Sequence, residues 1–406
     1  CCLRARVSES CFYPRPPRNT HPYNQIRIGP SPGSVAVMDV VHPRCAGIDI
    51  SKKDAKVCVR IQGRGNRRTS STVTTWGAMT NQILALREHL LERKVTCVVM
   101  EATSNYWRPF YYLLEELLEV MLVNAHDVRT VPGRKSDVSD AAWLADLGAH
   151  GLVRASFVPP EPIRVLRDLT RARTMITHER TREIQRLEKL LEDTGIKLSS
   201  VATDVTGVSG RLMLEALIDG RNDPVQLSQL AKGRLRSKIP VLTEALTGHF
   251  SAHHAFMTRL FPGRIDAHTA DIDKLSARID EAMAPFRPAR DLLISIPGFS
   301  TTVAEIFIAE TGGDMRVFPT AGHLASWAGA APGSNESAGR VKSTKTWPGN
   351  RYLKGALARR RPRRLPLQGN LFLGEVPAHR RASGADEAVV AVEHAMLVAA
   401  WNMLTH

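Results

Sequence analysis

The sequence predicts a protein of three parts: an α/β layer, a long α-helical coiled-coil arm, and a small, mainly helical C-terminal part. Between Cys45 and Val158, short apolar runs alternate with stretches of helical periodicity, which is typical of a partly parallel sheet covered by helices. One amphipathic stretch covers Arg164 to Asp193, and helix signals dominate the chain after residue 291. We therefore expect a sheet domain at residues 38–160, an arm at 161–290 and a C-terminal domain at 291–406.

The predicted sheet begins with two runs that form a hairpin. Ala46–Ile50 is apolar except for Asp49, and the alternating run Ala55–Ile61 reads as its partner. A third run, Val95–Met100, is a buried strand that ends on Glu101. Further strands are predicted at Val120–Val123 and Leu152–Val158, and helices at Arg87–Leu91 and Tyr106–Leu118.

A helix start is predicted at Lys135–Leu144. Ser136 is a suitable N-cap, and two acids fall in the first turn, where the helix dipole favours negative charge. Asp137 and Asp140 are three residues apart and would share one helical face. Pro159 and Pro160 then mark a domain boundary.

The arm is predicted from one apolar stripe. It comprises Leu166, Leu169, Ile176, Ile184, Leu187 and Leu191. Arginines surround the stripe, and they fit a solvated surface as well as they fit contact with nucleic acid. Leu275, Ile279 and Met283 suggest a second long helix that would complete an antiparallel pair, after an irregular, mostly helical insert.

The C-terminal part opens with a predicted helix–turn–helix over Leu292–Glu310, whose turn is Ile296–Ser300. Such a turn can offer backbone N–H groups to a phosphate, although many proteins that bind no nucleic acid contain one. A polar loop of small residues, Ala330–Arg340, leads into a basic segment that contains Trp347 and Tyr352. We predict that its cations contact nucleic acid: Arg340, Lys342, Lys345, Arg351 and Lys354.

The charge balance restricts the partners. The chain carries 55 Lys and Arg against 40 Asp and Glu, a net charge of +15, which favours a polyanion. No apolar run reaches the roughly 20 residues that span a bilayer, so nucleic acid is preferred to a membrane. The six cysteines form no C-x-x-C pair, so buried thiols of a reducing cytoplasm are expected rather than a zinc site or disulfides. Residues 1–37 have no apolar periodicity and are interpreted as a disordered or non-native extension.

Four acids are the main candidates for chemistry: Asp49, Glu101, Asp137 and Asp140. Acids at two strand ends and on one helical face can converge at a sheet edge. Carboxylate oxygens are ligands that Mg²⁺ prefers, and two such ions can clamp the attacking and leaving oxygens of a phosphoryl transfer. A lone acid at a strand end is usually a solvated cap, so the prediction depends on the combination.

Ser337 is the candidate nucleophile. Arg340, Lys342 and Lys345 could stabilise the charge that develops when a serine attacks a phosphodiester. Ser334 and Ser343 lie close by, and by chemistry alone a turn serine bonded to its own backbone is the simpler interpretation.

Several motifs resemble those of the DEDD transposases of bacterial insertion sequences, which are related to the Piv invertase. The acidic motifs are Gly47–Lys52, Met100–Thr103 and Lys135–Ala141, and the C-terminal motifs are Phe318–Gly329, Pro332–Gly339 and Gly349–Leu353. The resemblance spans about Met38 to Leu357 and resumes near Ala385 to Leu404. The motifs occur in the family's order, which makes the resemblance specific.

The resemblance implies an RNase H-like, RuvC-like N-terminal domain in which the four acids bind Mg²⁺. It also implies an arm used in oligomerisation, as a dimer or tetramer, and a C-terminal transposase domain whose nucleophile is Ser337. In this family the serine is thought to join covalently to DNA, assisted by the acids of a neighbouring subunit. A structured noncoding RNA guides the choice of donor and target DNA. The expected location is the bacterial cytoplasm, in association with the nucleoid.

The sequence departs from the family pattern in two places. Ser104 stands where the family usually carries glycine. Residues 359–383 are rich in arginine and proline where a continuous helix is expected, which suggests compensating frameshifts. Three alternatives stay open: a metal nuclease of the junction-resolvase type with water as nucleophile, an inactive nucleic-acid-binding remnant, and an RNA-binding structural protein.

Overall fold

The computed structural model describes residues 39–63, 68–131, 139–331, 333, 335–337, 340–343, 345–346, 348–358 and 385–406. The predictions for residues 1–37, for Ser136 and Asp137, and for segment 359–383 lie outside these residues. The chain forms two compact units, and the boundary between them falls after Ser156.

The first unit is built on one mixed sheet of five strands. The strands are β1 (Arg44–Ile50), β2 (Asp54–Ile61), β3 (Ser70–Gly77), β4 (Cys97–Glu101) and β5 (Glu119–Val123). Their order is β3-β2-β1-β4-β5; β1 pairs antiparallel with β2 and parallel with β4. The predicted hairpin and the partly parallel sheet are therefore confirmed. The sheet is compatible with the RNase H-like fold that the resemblance implies.

Two strand predictions differ from the structure. The segment Leu152–Val158 was predicted as a strand but is not one. Its Ser156 N–H donates a hydrogen bond to the Leu122 carbonyl of β5, but the segment does not form the repeated backbone hydrogen bonds of a β-strand. The edge strand β3 was not anticipated. It is rich in Ser and Thr and mostly exposed, so it lacks the apolar alternation that marks a half-buried strand.

Among the described residues of the sheet unit there are four helices: α1 (Thr80–Glu92), α2 (Trp107–Leu114), α3 (Ala125–Thr130) and α4 (Asp140–Ala149). Helix α4 begins later than predicted, because Ser139, not Ser136, is its N-cap and accepts a hydrogen bond from Ala142 N–H at 3.3 Å. Asp140 is thus the first helical residue. The helical face that Asp140 was predicted to share with Asp137 involves a residue outside the described part of the chain and stays a prediction.

The packing of α4 on the sheet depends on Gly47 in β1. A Cβ atom at this position would lie 2.1 Å from the Ala141 carbonyl oxygen and 2.4 Å from Ala145 N. Gly148 provides the reciprocal contact, since a Cβ there would lie 2.8 Å from Cys45 Sγ. The two glycines bring the helix backbone close to β1. The face of β1 that carries Cys45, Gly47 and Asp49 is therefore the face that α4 covers.

The second unit contains the predicted pair of long helices. Helix α5 (Glu161–Asp193) starts with Pro162 in its first turn and packs against the helix Phe261–Ala282. Five shorter helices lie between them: α6 (Leu198–Val201), α7 (Val208–Ile218), α8 (Pro224–Ser228), α9 (Ile239–Ala245) and α10 (Ala252–Arg259). The helix Phe261–Ala282 is α11.

Helix α5 joins two separate cores. Leu187 and Leu191, near its end, are buried with the short helices α6 to α10, whereas Ile163 and Leu166, near its start, are buried with the C-terminal helices. The latter are α12 (Arg287–Ile294), α13 (Thr301–Thr311), α14 (Ala321–Ala328), α15 (Arg351–Ala358) and α16 (Ala385–Thr405). The predicted helix–turn–helix corresponds to α12 and α13.

A two-stranded hairpin interrupts the C-terminal helices where a loop was expected. Its strands are β6 (Asn335–Ser337) and β7 (Arg340–Ser343). In the described part of the chain, no helix has the length and apolar character needed to cross a membrane.

Candidate active site

Asp49 and Glu101 lie at the same end of two neighbouring parallel strands. The register of β1 and β4 pairs Ile48 with Met100, and each acid is the next residue in its strand. Both acids are half-buried. Because residues in register share a face of the sheet, Glu101 lies on the same α4-covered face as Asp49. Sequence reasoning predicted the two strand ends, but the register comes from the structure.

Asp140 approaches this edge from the first turn of α4. Burial raises the pKa of Asp49 above its ordinary value, and the negative charge of Asp140 raises it further. Lys56 acts in the opposite direction and Asp54 in the same one, both with smaller effects. Asp140, which is exposed at the start of α4, is thus near enough to Asp49 for their charges to repel, and an added cation would relieve this repulsion.

The loop that follows Glu101 contains a strained residue. Ser104 has a φ of 51°, in the left-handed region that glycine adopts without strain. The turn is closed by Thr103 N–H, which donates to the Glu101 carbonyl at 2.9 Å. A non-glycine residue in this conformation costs on the order of 1 kcal/mol, which gives a backbone reason for the glycine that the resemblance led us to expect at position 104.

The four predicted metal ligands are all carboxylates, and carboxylate oxygens are the ligands that a hard divalent cation such as Mg²⁺ prefers. Asp137 lies outside the described residues. Within the described ranges, no group of three or more His, Cys, Asp or Glu side chains could hold a metal ion. Asp49 and Glu101 lie at the same end of β1 and β4, and Asp140 begins α4, but these three acids do not form a metal-holding group on their own within the described residues.

The candidate serine lies in the hairpin of the second unit. Ser337 ends β6, and its registered partner across the hairpin is Arg340, the first residue of β7. Lys342 follows in the same strand. A register shift between Asn335 and Glu336 marks a bulge two residues before the serine, a feature that often occurs beside functional positions.

The other predicted cations have different surroundings. Lys345 and Arg351 are exposed, and the Arg351 guanidinium lies over the Tyr352 ring at 4.9 Å. The half-buried Lys354 is engaged within the protein: its Nζ donates to the Gly329 carbonyl and to Thr346 Oγ1, both at 3.0 Å. Lys345 and Arg351 are exposed to solvent and so to a phosphate, whereas Lys354 would have to give up two hydrogen bonds to reach one.

Sequence reasoning missed a buried polar cluster around Glu310 of α13. This carboxylate is 1% exposed and accepts two hydrogen bonds from Arg171 of α5, both at 2.7 Å. Asn350 Nδ2 donates to it at 2.8 Å, while the same side chain accepts from Tyr352 and Leu353 N–H. Asn350 thereby caps α15, and the Glu310 cluster links the arm to the segment that follows the serine hairpin.

Replacing Glu310 with alanine is expected to destabilise the second unit by about 3 kcal/mol, the lower end for a broken buried ion pair, because the Arg171 side chain is 30% exposed and can reach water. Denaturant unfolding measures the loss. The control is Glu281→Ala, whose exposed pair with Arg278 contributes less than about 1 kcal/mol. Equal unfolding midpoints for the two variants would contradict the assigned role of Glu310.

The chain is similar to known proteins of one class. The chain is a DNA transposase or recombinase. A model of DEDD transposases of the IS110 type matches residues 46–196, and a model of the transposase family IS116/IS110/IS902 matches residues 290–360. The two matches cover both candidate regions and more than half of the chain. The protein therefore belongs to the IS110/IS116/IS902 family of insertion-element transposases.

Two relatives are proteins of bacterial insertion elements. An uncharacterized 42 kDa protein of insertion element IS900 from Mycobacterium paratuberculosis is 25% identical over 341 residues, which are 74% of this chain and 80% of the relative. An uncharacterized 43.6 kDa protein of insertion element IS110 from Streptomyces coelicolor is 30% identical over 255 residues, 56% of this chain and 60% of the relative. Transposases bind DNA, and those of the DEDD type are typically metal-dependent.

Proposed function

We propose that this transposase cuts and rejoins DNA with Ser337 as nucleophile and with Mg²⁺ held by Asp49, Glu101, Asp137 and Asp140. The observation that carries the proposal is the position of Asp49 and Glu101 at the same end of β1 and β4, with Asp140 at the start of α4, the helix that packs on β1. Asp49 is half-buried and Asp140 is exposed; the repulsion between their charges is unfavourable on its own, and a divalent cation is a natural partner for them.

The strand-exchange step conserves the number of phosphodiester bonds. The Ser337 hydroxyl oxygen bonds to phosphorus as one phosphorus–oxygen ester bond of the DNA breaks, and the serine proton ends on the leaving strand as a hydroxyl. Attack of another strand's hydroxyl on the serine phosphodiester reverses these changes and frees Ser337. Bound Mg²⁺ would act as a Lewis acid on phosphate oxygens. The exposed Lys345 and Arg351 would hold neighbouring phosphates.

The partners belong to the same proposal. The net charge of +15 suits a polyanionic assembly of DNA and a guide RNA, and the paired helices α5 and α11 would serve a homo-oligomer. The acids and the serine belong to different units of the chain, and both are proposed to act on the same DNA. Their location in different units also favours the second candidate, a metal nuclease that uses water and leaves Ser337 without a role.

A covalent adduct separates the two candidates. DNA carrying the element ends is incubated with the protein, Mg²⁺ and RNA transcribed from the flanking DNA, and adducts are resolved by denaturing electrophoresis. We expect an adduct with wild-type protein and none with Ser337→Ala, because alanine has no oxygen to bond to phosphorus.

The matched control is Ser343→Ala, which removes a hydroxyl from the other strand of the hairpin and should leave the adduct intact. DNA cleavage by Ser337→Ala at the wild-type rate would contradict the proposal and support the nuclease.

A further inference from the structure

The base of the serine hairpin is closed by one side chain, that of Lys354. The hairpin segment runs from residue 330 to residue 348, between helices α14 and α15. Lys354 Nζ donates to the carbonyl of Gly329, directly before the segment, and to Oγ1 of Thr346, near its end, in each case at 3.0 Å. A single ammonium thus joins the entry and exit of the hairpin.

Backbone contacts close the same base. Gly333 N–H donates to the Lys345 carbonyl at 3.3 Å, and Asn350 N–H donates to the Trp327 carbonyl at 3.2 Å. Gly349 packs so tightly on the end of α14 that a Cβ atom would lie 2.3 Å from Gly329 N. The two ends of the hairpin segment are therefore fixed to each other and to the C-terminal end of α14.

The local electrostatics suit this use of a lysine. Gly329 is the C-cap of α14 and adopts the left-handed conformation, with a φ of 77°. Its carbonyl lies at the negative end of the helix dipole, where a cation is favoured. Because Lys354 Nζ already has two acceptors within the protein, it is less available to a phosphate than the exposed Arg351 of the same helix.

We propose that Lys354 is a positioning residue, which holds the base of the hairpin so that Ser337 meets the scissile phosphate, rather than a DNA contact as its sequence context suggested. This inference rests on the proposed role of Ser337. A hairpin anchored at both ends restricts the positions that its far end can occupy, and small displacements of a reacting group have large effects on rate.

The test compares Lys354→Met with Arg351→Ala. For Lys354→Met we expect DNA affinity and its salt dependence to match wild type, while the rate of adduct formation at saturating DNA falls by about tenfold or more. For Arg351→Ala, which removes an exposed cation, we expect weaker binding and a log–log salt slope smaller by about one, with a smaller change in the saturated rate. Hydrogen exchange of the hairpin amides should accelerate in Lys354→Met alone.

Two results would overturn the inference. In the first, Lys354→Met reduces the salt dependence of DNA affinity but leaves the rate of adduct formation at saturating DNA unchanged, which would make Lys354 a phosphate contact. In the second, both that rate and the hydrogen exchange of the hairpin stay at wild-type values, which would mean that Lys354 does not position the hairpin. If Lys354→Met does not fold, Thr346→Val decides instead: it removes one of the two acceptors, and it should lower the saturated rate without changing the salt slope. An adduct formed by Ser337→Ala would reject the proposed function, and hydrogen exchange alone would then decide whether Lys354 holds the hairpin.

Discussion

Replacing Asp49 with asparagine is expected to lower DNA cleavage and rejoining by more than about 100-fold, since removing groups that merely orient metal ligands already costs 10–100-fold. The amide keeps the shape of the side chain but removes the charge that a divalent cation requires. Recombination of element ends in the presence of Mg²⁺ measures the activity, and titration calorimetry measures metal binding.

The fold should survive this substitution, and the pKa of Asp49 gives the sign of the stability change. Burial and the charge of Asp140 raise that pKa in the folded state, so the ionised carboxylate is less favourable in the folded than in the unfolded chain. The ionised Asp49 therefore lowers the stability of the folded state. This loss of stability is absent at a pH below the ordinary pKa of the carboxyl group and is complete at a pH above the raised pKa. At neutral pH and in EDTA, Asp49→Asn should therefore melt at the wild-type temperature or above it.

Asp54→Asn is the matched control for Asp49→Asn. Asp54 is an exposed acid at the start of β2, where it accepts a hydrogen bond from Ser51 Oγ at 2.5 Å, and its charge ranks last among the causes that shift the pKa of Asp49. The same change of charge at this position should leave recombination within about threefold of wild type, the scale of a surface charge effect. Equal losses in the two variants would mean that net charge, rather than metal coordination, sets the activity.

Adding a methyl group at Gly47 is expected to impair both stability and activity. In Gly47→Ala the new Cβ would meet the Ala141 carbonyl at 2.1 Å, so α4 must move away from β1. Overpacking of this kind costs about 1–3 kcal/mol, and the obstacle here is backbone, which cannot rotate aside. Because Asp140 begins α4, the movement also separates it from Asp49. Thermal unfolding and recombination should both be affected.

The control for Gly47→Ala is Gly263→Ala in α11. A Cβ at Gly263 meets nothing within 4 Å, and alanine is the better helix former by about 0.5–1 kcal/mol. This variant should be as stable as wild type or more so, with normal activity. Wild-type stability in Gly47→Ala would show that α4 does not rest on β1 in the way described.

The first unit was predictable where one apolar run ended on one acid. The strands that carry Asp49 and Glu101 were predicted on this basis, and they are present. The start of α4 was placed three residues early because Ser136 and Ser139 are each followed by an acid, and sequence alone does not decide which serine meets a free helix N–H. The closeness of Asp49 and Asp140 depends on Gly47, whose role appears only when the helix is packed on the sheet.

The second unit was less predictable around the candidate serine. Lys354 belongs to a run of cations that reads as one phosphate-binding surface, yet it bonds to the protein itself. Glu310 reads as a solvated acid, because its three partners, Arg167, Arg171 and Asn350, come from segments far apart in the chain. Long-range pairs of this kind leave no local periodicity. The hairpin strands, of three and four residues, are too short to show alternation.

The carboxylates of the sheet and the serine of the hairpin are proposed to serve one reaction. The amount of covalent protein–DNA adduct formed by wild type and by Asp49→Asn, each with Mg²⁺ and with EDTA, tests this most directly. An adduct is expected only for wild type with Mg²⁺, because Ser337 then reacts only at a phosphate that the acidic site has prepared. Adduct formed in wild-type amounts by Asp49→Asn, or by wild type in EDTA, would contradict this proposal.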